Sequence, residues 1–396
     1  MASIQVPDLA SPGFKANPYP FYARLRNEAP ALRTTILTRP VWLVTRYDDV
    51  LQVLKDDRFA NDWSPRMPWL LLRFARPMTR GMLSRDAPDH TRLRTLVGKA
   101  FTPRLVERLR AQVESITEEL LTAAAANGRF ELVRDFALPL PLKIISGLLG
   151  IPEADSLRFH RLSRTMLAVA STFGLIRSLP DSWLFMRHLH KLFAERRARP
   201  QDDLVTALVE AEEAGDKLSE DELVAMTMLL LVAGYETTVN LIASGTLALI
   251  QHPEQRERFL QSPALAESAV EELLRFTSPL EIASFRLVLQ EVALAGVTLP
   301  PGELVTAVLG SANHDESQFP EPEKLDLARS PNRHLGFGMG AHFCLGAPLA
   351  RLEGQIALTA LFRRFPNLRL AVPPDSLRWR ASLLLRALEE LPLATE

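Results

Sequence analysis

The chain has 396 residues, 47% hydrophobic and 23% charged, with a formal net charge of -1, so a large buried core is available. Near-neutrality excludes the basic excess of a nucleic-acid binder. A single cysteine excludes an internal disulfide and fits a reducing compartment.

The opening MASIQVPDLASPGF has no basic segment followed by an apolar one, so no secretory signal is expected and the protein is placed in the cytoplasm. NPYPFYARLRNEAP predicts a short helix opening after Pro20. PVWLVTRYDDVLQVLKDD predicts a strand, then a helix from about Tyr47. Residues 61–85 are apolar and basic without clear period and read as a partly ordered loop. From about 88 to 254 the pattern is nearly all helical, with breaks near Asn127-Gly128, Gly150 to Pro152, Ser171 to Pro180 and Pro200. After Pro279 the texture alternates, punctuated by Gly296 and Pro300-Pro301-Gly302, and predicts short strands and hairpins. A proline-rich stretch follows, then the segment around Cys344, one more helix and a β-like C-terminus. The expected fold is mainly α with a small β portion, in a single domain over 1–396.

The longest helical pattern starts with a capping box. Ser219 is the N-cap, Glu222 stands three residues on, and Leu218 with Leu223 is placed as a hydrophobic staple. Pro253 ends the pattern, giving a helix of roughly 50 Å at 1.5 Å per residue. Its apolar part, 223–235, falls short of the roughly 20 residues that span a bilayer, so a buried core helix and no membrane association are expected. Inside it stands Ala233-Gly234-Tyr235-Glu236-Thr237-Thr238. Glycine, threonine and an acid are poor interior choices. Either Glu236 faces solvent and the threonines bond back to the backbone, or the helix breaks locally and sets an acid and an alcohol beside a buried cavity.

Cys344 lies in FGMGAHFCLG, just before the helical pattern Leu345, Leu349, Leu352, Ile356. A helix N-terminus stabilises a thiolate, and Gly338 and Gly340 allow tight backbone there. Four readings stand. Cys344 is a small buried hydrophobe. It is half of a zinc site with His342, lacking the further cysteine of a usual set. It is a nucleophile, without a visible base and orienting residue. Or it is a thiolate on one metal position, as an axial haem ligand requires. The Gly336-x-Gly338-x-x-Ala341 match to a dinucleotide fingerprint has no preceding strand and is accidental.

Phe337-Gly338-x-Gly340-x-His342-x-Cys344-x-Gly346 resembles the haem-ligand signature of the cytochrome P450 superfamily. It is joined in order by Ala233-Gly234-x-Glu236-Thr237-Thr238 and by Glu272-x-x-Arg275. Arg329 resembles the third member of the family's salt-bridge set. The similarity covers essentially the whole chain, and the length is similar to that of soluble bacterial members.

The resemblance implies haem b (iron protoporphyrin IX) with Cys344 as proximal iron ligand. Phe337 would shield the sulfur, and Gly338, Gly340 and Gly346 would let backbone pass close to haem. Ala233 would face the haem, and His90, Arg94, Arg286 and His342 would meet the propionates. Thr237 would hydrogen-bond dioxygen and Glu236 would help bring protons, which implies O2 activation with two external electrons. Those electrons would come from ferredoxin and ferredoxin reductase, docking on a basic patch including Arg92, Lys99 and Arg351. Loop 61–85, lid 166–180, and Met228, Val232, Ala233, Ile282 and Leu383 would wall a hydrophobic substrate: macrolide or polyketide, terpenoid or fatty-acid-like. The implied activity is hydroxylation or epoxidation. The alternatives are a peroxide-driven peroxygenase and a non-catalytic haem-based ligand sensor.

Overall fold

The computed structural model describes residues 4–36, 38–66, 79–126, 128–152, 155, 160, 172–213 and 218–395. The expected loop 61–85 therefore lies outside the described residues at 67–78, and the expected lid 166–180 at 166–171.

Near the N-terminus, the helix Tyr19–Glu28 takes Pro20 in its first turn and buries Tyr22, Leu25 and Arg26. Proline is tolerated there because its missing N–H has no helical partner to lose. Strand β1 (Ala31–Ile36) pairs antiparallel with β2 (Arg39–Val44), Ala31 opposite Val44 and Ile36 opposite Arg39. β1 goes beyond the sequence reading. Its polar Arg33-Thr34-Thr35 centre has little pattern of its own, and the pairing with β2 is what makes it a strand. The helix Tyr47–Lys55 then buries Tyr47, Val50, Val53 and Leu54, an apolar stripe at helical spacing.

Strands β3 (Phe59–Ala60), β5 (Arg286–Val288) and β8 (Leu304–Ala307) complete the first sheet, in the order β1-β2-β8-β5-β3. β2 and β8 run parallel, β5 and β8 antiparallel. β6 (Val292–Leu294) and β7 (Val297–Leu299) form a hairpin. Both of its turn residues, Ala295 and Gly296, have positive φ, 51° and 77°, as a two-residue turn of matching twist requires. A third sheet orders β4 (Arg129–Glu131), β10 (Pro392–Ala394) and β9 (Arg369–Leu370) as β4-β10-β9. The face of helix Tyr47–Lys55 joins Val288, Val305, Leu309, Phe319 and Leu335 in one apolar cluster.

The chain divides into two compact units. The first holds residues 1–59, 110–140 and 237–396, with the three sheets except Ala60 of β3; the second holds 60–109 and 141–236 and is otherwise helical. The boundary at 236/237 falls inside the helix Glu220–Gln251.

That central helix begins as the capping box dictates. The Ser219 N–H donates to the Glu222 carboxylate at 2.7 Å, and the Glu222 N–H donates to Ser219 Oγ at 3.3 Å. Leu218 and Leu223 are both buried. The helix runs unbroken over all 32 residues, so the expected local break at 233–238 is not there. The structure gives Gly234 another reason: a Cβ on it would stand 2.8 Å from Ile145 Cγ1. Glycine here lets the helix Pro139–Leu148 approach closely. By length and composition alone, this is the one helix among the described residues fit to cross a membrane; 72% of its apolar window is buried inside the protein.

Candidate active site

Cys344 is half-buried and stands two residues before Gly346, the N-cap of the helix Ala347–Arg364. No side chain caps that helix. Its N-terminal N–H groups and dipole therefore favour an anion at this end. The Cys344 N–H donates to the Phe337 carbonyl at 2.9 Å, closing the loop over residues 337–344. Gly338 and Gly340 hold φ of +67° and +76°, where other residues are strained. A Cβ on Gly338 would meet only the His342 carbonyl, at 3.9 Å, and one on Gly346 only Cys344 Sγ, at 3.9 Å. Gly340 differs. A Cβ there would stand 2.9 Å from the Leu54 carbonyl, so this glycine seats the loop against the helix Tyr47–Lys55.

On the central helix, Glu236 is 3% exposed. The solvent-facing alternative for it is therefore excluded. Around it the burial is uneven: Ala233 is exposed, and Val232, Gly234 and Thr237 are half-buried, on a helix covered nearly everywhere else. Ala233 and Thr237 are four residues apart and share a face. Met228 is 7% exposed, one turn before Val232. Tyr235 is turned inward, where its hydroxyl meets His160 Nδ1 at 2.9 Å.

His90 and Arg94 lie one turn apart on the helix Asp89–Ala100. His90 is buried, and burial with the neighbouring Arg94 charge holds its pKa below the usual histidine value. Arg286 is buried and donates to the Val53 carbonyl at 2.8 Å. His342 is half-buried in the single turn Gly340–His342. Two cations expected to dock a ferredoxin have acidic partners. Arg92 is paired with Glu222. Arg351 is bonded twice to Glu271, at 2.7 and 2.8 Å. The Lys99 side chain lies outside the described residues.

Glu272, Arg275 and Arg329 come together. Arg275 donates to both Glu272 oxygens at 2.8 and 2.9 Å, and Arg329 Nε lies 3.1 Å from each. Asn332 and the Asp326 N–H add donors at 3.1 and 3.0 Å. Glu272 and Arg275 are fully buried, so they are not a surface pair at helical spacing.

Two of the segments expected to wall a substrate, those at Ile282 and at Leu383, meet as well. The N–H groups of Glu281 and Ile282 donate to the Leu384 carbonyl at 2.8 and 3.2 Å. Ile282 is nevertheless completely covered, which places its side chain in the core. Leu383 is half-buried, and Leu384 presents 37% of its surface.

The sequence model of the family described as Cytochrome P450 matches residues 6–262 and 256–390. The chain belongs to the cytochrome P450 family. It is 44% identical to the "Polyketide biosynthesis cytochrome P450 PksS" of Bacillus subtilis (strain 168), over 96% of each chain. The solved PksS structure superposes with a TM-score of 0.92 over 99% of this chain and 100% of that one. A mycinamicin IV hydroxylase/epoxidase from Micromonospora griseorubida is 45% identical over 89% of each. The myxobacterial CYP267B1, solved with myristic acid, has a TM-score of 0.94 at 41% identity, covering 99% of this chain and 100% of that one. This P450 is thus a monooxygenase-type oxidoreductase with a mainly α fold.

The family implies a haem-thiolate cofactor, and the residues of this P450 fit one. The donor is a partly exposed thiol at an uncapped helix N-terminus. In the loop beside it, a Cβ on Gly338 would meet nothing nearer than the His342 carbonyl, at 3.9 Å.

One residue of this P450 escaped the sequence reading. Glu353, two turns into the helix after Cys344, is completely buried. Burial pushes its carboxyl up to about 8, opposed only in part by the Thr238 hydroxyl. The available signal was an acid between Leu352 and Gly354 on a face that also carries Leu349 and Ala357. Gly354 brings that face against Leu241 and Val270. Between about pH 4.5 and 8 the unfolded chain loses the proton that native Glu353 keeps. The residue therefore costs stability progressively as pH rises through this window, by at most about 1.4 kcal/mol per pH unit. Glu353→Gln should remove that slope, so its advantage over the parent grows from pH 5 to pH 8 in urea denaturation. Parallel pH profiles for the two proteins would contradict the assignment.

Proposed function

We propose that this chain works as one P450 domain that hydroxylates or epoxidises a hydrophobic small molecule, using O2 and two electrons from an external ferredoxin system. The observation that carries the reading is the presence of two features in one chain. One is a cysteine at an uncapped helix N-terminus. The other is an uncovered stripe, Ala233 to Thr237, beside a buried acid on an otherwise covered helix.

Bound haem b supplies the one-electron redox chemistry and the activation of O2. Cys344 would hold the iron as a thiolate, its charge favoured by the helix dipole. Gly338 and Gly346 would leave the sulfur accessible. His90, Arg94, Arg286 and His342 would balance the propionate charges, and Ala233 would give the ring room. The Thr237 hydroxyl would donate a hydrogen bond to dioxygen. Glu236, adjacent and buried, would pass protons towards that hydroxyl. Met228, Val232, Ala233 and Leu383, with Leu384, would supply apolar contacts to substrate, and Ile282 would back them from the core. The names of PksS and of the mycinamicin hydroxylase/epoxidase favour a polyketide-type substrate, and the myristate bound to CYP267B1 supports an extended aliphatic one.

With NADPH, a surrogate ferredoxin and its reductase, product should form only in the presence of O2. Thr237→Ala should keep substrate binding but divert electrons to hydrogen peroxide, lowering product formation by about 10²- to 10⁴-fold. Unchanged coupling of NADPH use to product would remove Thr237 from this role. Product driven by hydrogen peroxide alone would point to a peroxygenase, and no turnover with either to a ligand sensor.

A further inference from the structure

Arg351 does not serve as a loose surface charge. Its guanidinium lies 4.6 Å from the centre of the Phe337 ring. It grips Glu271 with two bonds, Nε to Oε1 at 2.7 Å and a terminal nitrogen to Oε2 at 2.8 Å. His334 Nε2 meets the same Oε2 at 3.1 Å. The Gly336 N–H donates to His334 Nδ1 at 3.1 Å, which makes Nε2 the donor towards Glu271. The His334 ring also stands 5.9 Å from Phe337. Phe337 in turn accepts the Cys344 N–H through its carbonyl. One cation and one imidazole, joined by one carboxylate, thus converge on the residue bonded to the cysteine backbone.

A simple tie between the helices Ala266–Thr277 and Ala347–Arg364 does not require this arrangement. A bidentate pair alone would join them. Here the cation is also stacked on an aromatic face and a third residue is spent on orienting its counter-ion. Hydrogen bonding to Glu271, its charge and, more weakly, that of Cys344 favour the charged guanidinium; burial pushes the Glu271 carboxyl up, but Arg351 and His334 together outweigh it and hold it down to about 2. Arg351 and Glu271 are therefore both ionised throughout the neutral range. A fixed positive charge near a thiolate lowers its electron donation, and a fixed negative charge raises it.

We propose that Arg351, stacked on Phe337 and balanced by Glu271, is a positioning residue that sets how strongly Cys344 donates electrons, and so the reduction potential of the bound haem. The inference rests on Cys344 being the haem ligand.

The test is an equilibrium redox titration of the haem-loaded protein and of Arg351→Gln, Arg351→Lys and Glu271→Gln. Arg351→Gln should favour ferric haem by about tenfold, 59 mV more negative for one electron. Glu271→Gln keeps the shape but removes the balancing charge, so it should shift the couple the opposite way by a similar factor. Arg351→Lys keeps a charge and should shift less than Arg351→Gln. A mere structural tie predicts no such opposition of sign. Shifts below twofold, or in one direction for both glutamine variants, would overturn the proposal where the thiolate CO band is intact. If Arg351→Gln fails to fold, the sign for Glu271→Gln decides. A parent protein without the thiolate band would instead overturn the ligation reading, and that is seen before any variant is made.

Discussion

Replacing Arg275 by leucine is expected to remove about 3–5 kcal/mol of stability, the cost of taking one partner from a buried ion pair. Arg275 is fully buried and donates to Glu272 and to the carbonyls of Asn313, Pro322 and Lys324. Without it, Glu272 keeps Arg329 and Asn332, but the three carbonyls lose their guanidinium donor. Arg275→Lys should recover little, because one ammonium cannot reproduce a planar fork reaching four groups. Arg24 offers a contrast on the same scale: its pair with Glu28 is half exposed on both sides. Arg24→Ala should cost no more than about 0.5 kcal/mol. Typical domains hold only about 5–15 kcal/mol in total, so the Arg275 variant should melt far lower than the parent. A loss below 1 kcal/mol in urea denaturation would show that the triad does not carry the fold around the Cys344 segment.

What could be read in advance was local or closely spaced. The Ser219–Glu222 capping box, the Tyr47 helix and the Cys344 frame each announce themselves within a few residues, and each stands in the structure where its pattern puts it. Glu272 and Arg275 were legible as a pair because three residues bring them to one helical face. What stayed hidden depends on partners far along the chain. β1 needs β2 to become a strand. Gly234 suggested a break, but its meaning lies in Ile145, 89 positions away in sequence. Arg92 and Arg351 read as members of a basic patch, and their partners Glu222 and Glu271 lie 130 and 80 positions away in sequence. Glu353 carries no motif; only complete burial distinguishes it from an ordinary helical acid. Ile282 was placed on a substrate wall by its position after Pro279, and the packing covers it.

Cys344→Ser is expected to abolish the thiolate signature altogether rather than weaken it. A thiol ionises near 8.5 in isolation and lower at a helix N-terminus. A serine hydroxyl has no comparable ionisation, so the same helix end cannot hold it as an anion. The glycine loop and the uncapped helix would be unchanged, and haem could still be held at its propionates by His90, Arg94, Arg286 and His342 under the proposed assignment. The variant therefore separates ligation from retention. The direct measurement is the absorption spectrum of the reduced, CO-bound protein. The parent should show a band at the position typical of thiolate-ligated haem, and Cys344→Ser should lose it completely with haem still bound. A thiolate band that survives the substitution, or that the parent never shows, would contradict ligation by Cys344.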